Sequence, residues 1–307
     1  MAWVATIGVF DGVHIGHQAL LSRLRALAGE EGAEAVVITF DPPPHAVLHP
    51  EAPPFQITPL PEKERLLYAA GAERVLVLPF TREFAALEPA RFLDRVTEGE
   101  EPVRGFVVGA DFRFGVGARG DVALLRQMGR ERGFRVEEVS DIRLDGTRIS
   151  STLIRDHLRC GTVREAGRLL GRPVELEGRV VAGKGVGHRK LFPTANLDVN
   201  PDQLLPAAGV YAVAVVHPRG GCPGAANVGC APTLGTGHER LIEVHLLDFD
   251  GELQGSRLRI RFREWLRPQE RFADLTALRK AIEGDIARVR QTIKTGPDRH
   301  LASNDTV

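Results

Sequence analysis

The chain contains little of what marks secreted, membrane-spanning or nucleic-acid-binding proteins. Only 3 of its 307 residues are cysteine and none forms a CxxC pair, so neither a disulfide framework nor structural zinc is expected. Lysine plus arginine and aspartate plus glutamate both number 40, which leaves no excess positive charge for nucleic acid. No apolar run approaches the roughly 18 residues that span a bilayer. We therefore expect a cytoplasmic protein that binds neither membranes nor nucleic acid.

The length of the chain and its first half predict two domains, the first with a parallel sheet. A chain of 307 residues exceeds what one hydrophobic core usually serves. Apolar runs alternate with helical patterns, and the expected strands are residues 3–9, 35–40, 74–78, 105–108 and 134–139. This alternation predicts βαβ units, with ligands beyond the carboxyl ends of the strands. The informative loops are those after Ile7, Phe40 and Val108.

The second half has a different pattern. Two short helices are expected over 150–170, and Gly171-Arg172-Pro173 ends them. The strand-like segments that follow are residues 174–182, 209–216, 225–229, 241–249 and 257–262, with one helix over 274–292. Short strands before one helix predict a small antiparallel β-barrel with a C-terminal helix. We place the domains at 1–171 and 172–295, with a flexible tail at 296–307.

The loop after the first strand has the features of a phosphate site. It reads TIGVFDGVHIGH and runs from a strand end into a helix, whose N-terminal N–H groups suit an anion. Its glycines, such as Gly8 and Gly16, let backbone approach a ligand. His14 and His17 lie three apart and can donate hydrogen bonds to oxygens that gain charge during attack on a phosphate. The alternatives are a fragment of a metal site or a chance pair.

The pattern GxFDxxHxGH resembles the nucleotidyl-transferase superfamily, and the run TIGVFDGVHIGHQALL is most similar to bacterial bifunctional riboflavin kinase/FAD synthetases. The letters HIGH also occur in class I aminoacyl-tRNA synthetases, but no KMSKS-type loop accompanies them. The resemblance implies a Rossmann-like adenylyl-transfer domain that uses ATP and FMN. It assigns catalysis to His14 and His17. The residues it places at the nucleotide are Gly8, Phe10, Asp11 and Gly16.

Three further motifs of the first half agree with this family. TFDPPPH follows the second strand, where Pro43 replaces the usual histidine of TFDPHP and His45 stands two positions later. In GADFRFG the family implies that Asp111, Phe112 and Phe114 contact the flavin. The alternatives are a turn aspartate and two core rings. In ISSTLIR, the resemblance assigns phosphate binding to Ser150, Ser151 and Thr152, and the pyrophosphate leaving group to Arg155. The serines can also cap a helix.

The diagnostic segment of the second half is Phe192-Pro-Thr-Ala-Asn-Leu197. In the riboflavin kinase family, PTAN implies that Thr194 and Asn196 lie at Mg²⁺ and the ATP phosphates. Mg²⁺ prefers oxygen ligands and keeps several waters, which agrees with two neutral oxygens. The alternative is a turn before a strand.

Other second-half motifs extend the resemblance. These are GVYAV from Gly209, ANVG from Ala226 and EVHLLDF from Glu243. By resemblance, Glu243 is the general base for the riboflavin 5′-hydroxyl. Asn227 and Arg271 are implied to contact the flavin. The alternatives are an exposed strand glutamate and, for His245 on the same strand face, a structural histidine.

The loop before PTAN departs from the family. It should supply Gly183 and Gly187 to the nucleotide, but His188 replaces an arginine and Leu191 a glycine. Gln254 replaces a common tyrosine.

Two functions are compatible with these motifs. In the first, the chain phosphorylates riboflavin and adenylylates FMN, using Mg²⁺, ATP, riboflavin and FMN. In the second, it carries out adenylylation alone, and the second half is a degenerate kinase or a flavin-binding module. The oligomeric state does not follow from the sequence.

Overall fold

The chain forms two compact units, Met1–Ser151 and Thr152–Val307. The computed structural model describes residues 1–99, 101–182, 194–232, 238–270, 272–296 and 298, with the backbone alone at 230–232 and 238–241. Within these described residues, no helix is long and apolar enough to cross a membrane.

A five-stranded parallel sheet forms the centre of the first unit. Its strands are β1 (Trp3–Ile7), β2 (Glu34–Phe40), β3 (Arg74–Leu78), β4 (Val103–Gly109) and β5 (Arg135–Val139), in the order β3-β2-β1-β4-β5. The helices are α1 (Ile15–Glu30), α2 (Pro44–Leu48), α3 (Leu60–Ala69), α4 (Arg82–Ala85), α5 (Pro89–Val96) and α6 (Val122–Arg132). Because β1 pairs with β2 on one side and β4 on the other, the strand order reverses there. The carboxyl end of β1 is thus where a ligand is expected.

Both faces of this sheet are buried, which explains its nearly continuous apolar strands. On one face, α1 packs leucines that recur every three or four residues, a helical period; they are Leu20, Leu21, Leu24 and Leu27. The other face carries an aromatic cluster, which comprises Phe40, Phe84, Phe92, Phe106 and Phe114. The sheet therefore holds the loops at its carboxyl edge on a rigid base.

A short hairpin follows the sheet. Its strands are β6 (Arg143–Leu144) and β7 (Thr147–Arg148). The two turn residues, Asp145 (φ 51°) and Gly146 (φ 79°), have the positive φ values of a type I′ turn. The next helix, α7 (Ser151–Arg159), starts at the last residue of the first unit, and α8 (Val163–Leu170) follows it.

The second unit is a closed antiparallel barrel. Its strands are β8 (Glu175–Val181), β9 (Thr194–Val199), β10 (Gly209–His217), β11 (Gly220–Pro232), β12 (His238–Leu246) and β13 (Arg257–Arg267), in the order β10-β11-β12-β9-β8-β13. Tyr211, Val213 and Val215 fill the interior from β10. The alternate residues of β10, Ala212 and Ala214, pack outside against the helix α9 (Leu275–Thr295). The predicted fold, a parallel α/β domain before a small barrel with a C-terminal helix, is confirmed.

The compact units divide at 151/152, whereas we placed the domain boundary at 171/172. The helices between these points have contacts in the second unit. The N–H of Ala207 donates to Leu158 O at 2.9 Å, and α8 packs against β13. That the adenylyl-transfer domain extends to residue 171 stays a prediction.

The predicted flexible tail, 296–307, contains one buried side chain. Asp298 is 4% exposed and pairs with Arg263 on β13. This contact ties residue 298 to the barrel, and the flexibility of the tail as a whole stays a prediction. Residues 297 and 299–307 lie outside the described residues.

Candidate active sites

The loop between β1 and α1 has an unusual backbone. Phe10 (φ 51°) and Val13 (φ 41°) lie in the left-handed region, as does Gly12 (φ 87°). Each such non-glycine residue costs about 1–3 kcal/mol and persists only where its surroundings fix it. The loop is held by Gln18, whose Nε2 donates to Val13 O at 2.9 Å, among other contacts described below. Strain of this kind is typical of functional loops.

The two histidines of this loop stack on each other. His14 is the N-cap of α1, where its Nδ1 accepts the N–H of His17 at 3.2 Å. Because Nδ1 is the acceptor, the proton of a neutral His14 ring lies on Nε2. The ring centroids are 3.6 Å apart with an interplanar angle of 14°. A Cβ on Gly16 would lie 3.1 Å from the His14 ring, so this glycine leaves the room that the stack needs.

His17 is electrostatically set to be neutral. Burial and the nearby His14 ring hold the pKa of His17 well below its usual 6.5. Its Nδ1 is buried and has no hydrogen-bond partner among the described residues. Buried polar atoms seldom lack a partner, which makes this nitrogen a candidate ligand contact. A neutral ring beside a helix N-terminus can donate to a phosphate oxygen without carrying a charge itself.

Asp11 anchors the loop through its carboxylate. The side chain is 4% exposed and accepts the N–H of Ile57 at 2.9 Å and that of Thr58 at 3.1 Å. Its backbone oxygen accepts from Ser151 Oγ at 2.8 Å. The nucleotide contact predicted for Asp11 stays a prediction, and the structure adds a positioning role.

Replacing Asp11 with alanine is expected to lower the unfolding free energy of the first unit by about 3 kcal/mol, because two buried N–H groups lose their acceptor. Urea unfolding measures this change. The parent protein should carry Trp265→Phe, because Trp3 is then the single tryptophan that reports on unfolding. Trp3 is buried in the first unit and reports on it alone. The exposed Glu51→Ala is the control and should change stability by less than about 0.5 kcal/mol. An Asp11→Ala loss as small as that would contradict the anchoring role.

The loop after β4 is tied to the hairpin. Asp111 is exposed and its carboxylate is paired with Arg148, whose Nε is also 3.0 Å from Asp141. Phe112 is half-buried and stacks on Phe114 with centroids 5.5 Å apart. Phe114 itself is 4% exposed within the aromatic cluster. The flavin contact predicted for Phe114 therefore competes with a core role, and Phe112 has the more available ring.

The ISST segment starts α7 next to the histidine loop. Ser151 contacts that loop directly through Asp11 O. Ser150 and Ser151 are half-buried and Thr152 is exposed. Arg155 is four residues after Ser151 on α7, so the two share a helix face. Phosphate binding by these residues stays a prediction.

A small pocket lies on the β2 side of the histidine loop. Its lining comes from three segments, which are Val9 and Asp11, Asp41 and Pro43, and Phe55 to Lys63. Pro43 is buried here, and His45 packs edge-on against Phe55 with centroids 4.3 Å apart. The ring of His45 thus contacts Phe55, a residue of the pocket wall. It does not take the position of the family's histidine, which Pro43 occupies.

In the second unit, three predicted site residues form one cross-strand row. Glu243 on β12 is directly opposite Asn196 on β9 and Asn227 on β11. Directly opposite Cβ atoms in antiparallel strands are about 4.5–5.5 Å apart and share a face. All three side chains are half-buried, whereas the alternate residues of each strand fill the barrel interior. The strand pairing therefore brings a carboxylate and two amides together on the outer barrel surface.

A second row runs beside the first. Thr194 is opposite His245, two residues from Asn196 and Glu243, so both rows lie on one face. Gln269 Nε2 donates to Asn227 Oδ1 at 2.8 Å, which fixes that amide. These oxygens are of the type that Mg²⁺ prefers, and Mg²⁺ needs few protein ligands where phosphates and water complete its shell. Among the described residues, no group of three His, Cys, Asp or Glu could hold a metal without such help.

Several predicted positions lie outside the described residues. They are Gly183, Gly187, His188, Leu191 and Arg271. The nucleotide and flavin contacts assigned to them stay predictions.

Sequence reasoning missed Lys63, Arg148 and Gln269. Arg148 directly precedes ISST and Gln269 stands two residues before Arg271, so both were within reach of the motifs. Lys63 had no such signal, because its burial follows from the tertiary placement of α3.

The comparisons with known proteins agree on both units. The FAD synthetase family matches residues 2–153 and the riboflavin kinase family residues 170–293. The bifunctional riboflavin kinase/FMN adenylyltransferase of Pseudomonas fluorescens is 41% identical over 287 residues, covering 94% of this chain and 92% of the relative. The protein of that name from Escherichia coli (strain K12) is 38% identical over 289 residues, covering 94% and 92%.

A solved structure shares the whole fold. It is a crystal structure named macrolide-efflux protein, from Streptococcus pneumoniae, with a TM-score of 0.85, 30% identity and 94% coverage of both chains. Its name concerns that protein alone, and its backbone supports the two-unit architecture found here.

Proposed function

Because the chain belongs to the family of bifunctional riboflavin kinase/FMN adenylyltransferases, we propose that each unit carries one reaction, at the residues described above. The enzyme converts riboflavin to FMN and FMN to FAD. The observation that carries the division is that a stacked histidine pair lies in the first unit and the Asn196–Glu243–Asn227 row in the second.

In adenylyl transfer, a phosphate oxygen of FMN attacks the α-phosphorus of ATP, and the bond to pyrophosphate breaks. The negative charge that grows on the phosphate oxygens needs donors already in place. His14, with its proton on Nε2, and the neutral His17 supply them at the N-terminus of α1. Ser150, Ser151 and Thr152 hold the phosphates, and Arg155 neutralises the leaving pyrophosphate.

In riboflavin phosphorylation, Glu243 takes the proton of the 5′-hydroxyl as its oxygen attacks the γ-phosphorus of ATP, with ADP leaving. Asn227, fixed by Gln269, contacts the flavin next to the base. Thr194 and Asn196 lie on the same face and fit Mg²⁺. When bound, Mg²⁺ neutralises charge on the transferring phosphates.

The test is to incubate the purified chain with riboflavin, Mg²⁺ and ATP and to separate flavins by chromatography. FMN and FAD are the expected products. FAD from supplied FMN, with no product from riboflavin, would leave adenylyl transfer alone. Tight flavin binding without either product would overturn both assignments. Repeating the assay with EDTA checks the metal, and loss of both products is expected.

A further inference from the structure

We propose that Lys63 positions FMN for adenylyl transfer, because its buried ammonium group both braces the histidine loop and lines the pocket on the β2 side of that loop. The inference rests on the adenylyl-transfer function proposed above and adds a residue to it.

The burial of Lys63 is unusual for its chemistry. The side chain is only 5% exposed, although lysine is almost never so buried unless it is paired. Nζ donates to Val9 O at 3.3 Å, and among the described residues this is its one hydrogen-bond acceptor. An ammonium group has three donors, so two remain for a molecule in the pocket that Lys63 lines.

Burial and nearby carboxylates act on the pKa of Lys63 in opposite directions. Burial lowers its pKa, while the carboxylates of Asp11, Asp41 and Glu64 act in the opposite direction. The oxygens of Asp11 already accept backbone N–H groups. A lysine whose pKa is shifted both by burial and by nearby carboxylates, and which lines a cleft, is a candidate for a binding-site residue.

The lining of the pocket favours FMN, the substrate that accepts the adenylyl group, over ATP. Two carboxylates, of Asp11 and Asp41, line it, and they would repel a triphosphate. Phe55 and Gln56 add an aromatic ring and an amide to its wall, and the small pocket has room for the polar edge of a ligand rather than for a whole ring system. The N–H groups of Lys63 are therefore assigned to an oxygen acceptor in the uncharged part of FMN.

A purely structural brace is the competing role, and the chain offers a matched control for it. Thr39 Oγ1 donates to the same Val9 oxygen, also at 3.3 Å. Thr39→Val removes a brace on that oxygen but leaves the pocket and its charge intact. Lys63→Met removes the brace together with the charge and the two pocket donors.

The experiment measures FAD formation from FMN and ATP by full-length Lys63→Met, Lys63→Arg and Thr39→Val. Loss of a hydrogen bond to a charged group predicts that Lys63→Met raises the KM for FMN about 10- to 100-fold. The KM for ATP and the rate of FMN formation from riboflavin should stay within about twofold. Lys63→Arg should recover part of the loss, and Thr39→Val should change the KM for FMN by less than about threefold.

The pH profile is a second measurement, and its first part uses the wild-type protein alone. The lowered pKa predicts that kcat/KM for FMN declines as pH rises through a value below 10.5, since the ammonium then loses its proton. The groups that face Lys63 are Asp11 after β1, Asp41 after β2 and Glu64 on α3. In Lys63→Arg this decline should vanish, because a guanidinium stays protonated.

Three results would overturn the proposal: equal KM changes in Lys63→Met and Thr39→Val, a rise in the KM for ATP in place of that for FMN, or identical alkaline profiles in wild type and Lys63→Arg. Wild type that makes no FAD from FMN would instead refute the adenylyl-transfer function itself.

Discussion

Replacing His17 with alanine is expected to lower FAD formation from FMN by about 10²- to 10³-fold, the usual cost of losing a preorganised donor at a charged transition state. FMN formation from riboflavin should be unchanged, because the second unit supplies that reaction. The loss should appear in kcat rather than in the KM for FMN, since the donor acts where charge develops during attack.

The histidine stack explains why His17 is the sharper choice than its neighbour. His14 also caps α1, so His14→Ala would combine a lost cap with a lost donor. His17 makes no comparable cap, and its Nδ1 has no partner among the described residues. The control is His49→Ala, an exposed histidine of the same unit, for which neither activity should change. A His17→Ala variant that keeps wild-type adenylyl transfer would refute the role.

Replacing Glu243 with glutamine is expected to lower FMN formation from riboflavin by about 10²- to 10⁴-fold, the range for losing a general base. Glutamine keeps the size and the hydrogen-bonding ability of the side chain but cannot take a proton. FAD formation from supplied FMN should therefore remain at the wild-type rate.

The strand register makes this substitution informative. Glu243 lies between Asn196 and Asn227, so a local disturbance would also alter flavin or metal affinity. If Glu243→Gln removes only the base, the KM for riboflavin and the Mg²⁺ dependence should stay near their wild-type values. Glu252→Gln, an exposed glutamate of the same unit, serves as the control for charge removal. Equal loss of both activities in folded Glu243→Gln would contradict the division of labour.

Periodicity and turn residues were sufficient to predict most of the fold. The strand at Arg74–Leu78 was predicted to the residue, because a short apolar run sets its length. The strand Thr194–Val199 was missed. Its proline neighbour and its asparagine read as turn residues, and pairing with two other strands overrides that local preference.

The site residues also fall into those that the sequence predicts and those that it does not. Residues inside motifs, such as His14, His17 and Glu243, could be predicted from the sequence, and so could the strand face of Glu243. What could not be predicted depends on contacts distant in sequence. Examples are the pairing of Arg148 with Asp111, the burial of Lys63 and the bond of Gln269 to Asn227. Phe114 shows the reverse case, because its motif indicates a ligand while its burial indicates a core ring.

The central claim is that two separate sites in one chain carry the two reactions, and mixing the two variants tests it most directly. With riboflavin, Mg²⁺ and ATP, His17→Ala alone should accumulate FMN, and Glu243→Gln alone should leave riboflavin unchanged. Mixed in one tube, they should form FAD, since FMN released by the first variant is the substrate of the second. No FAD from the mixture, although each folded variant retains its own remaining activity, would contradict the account.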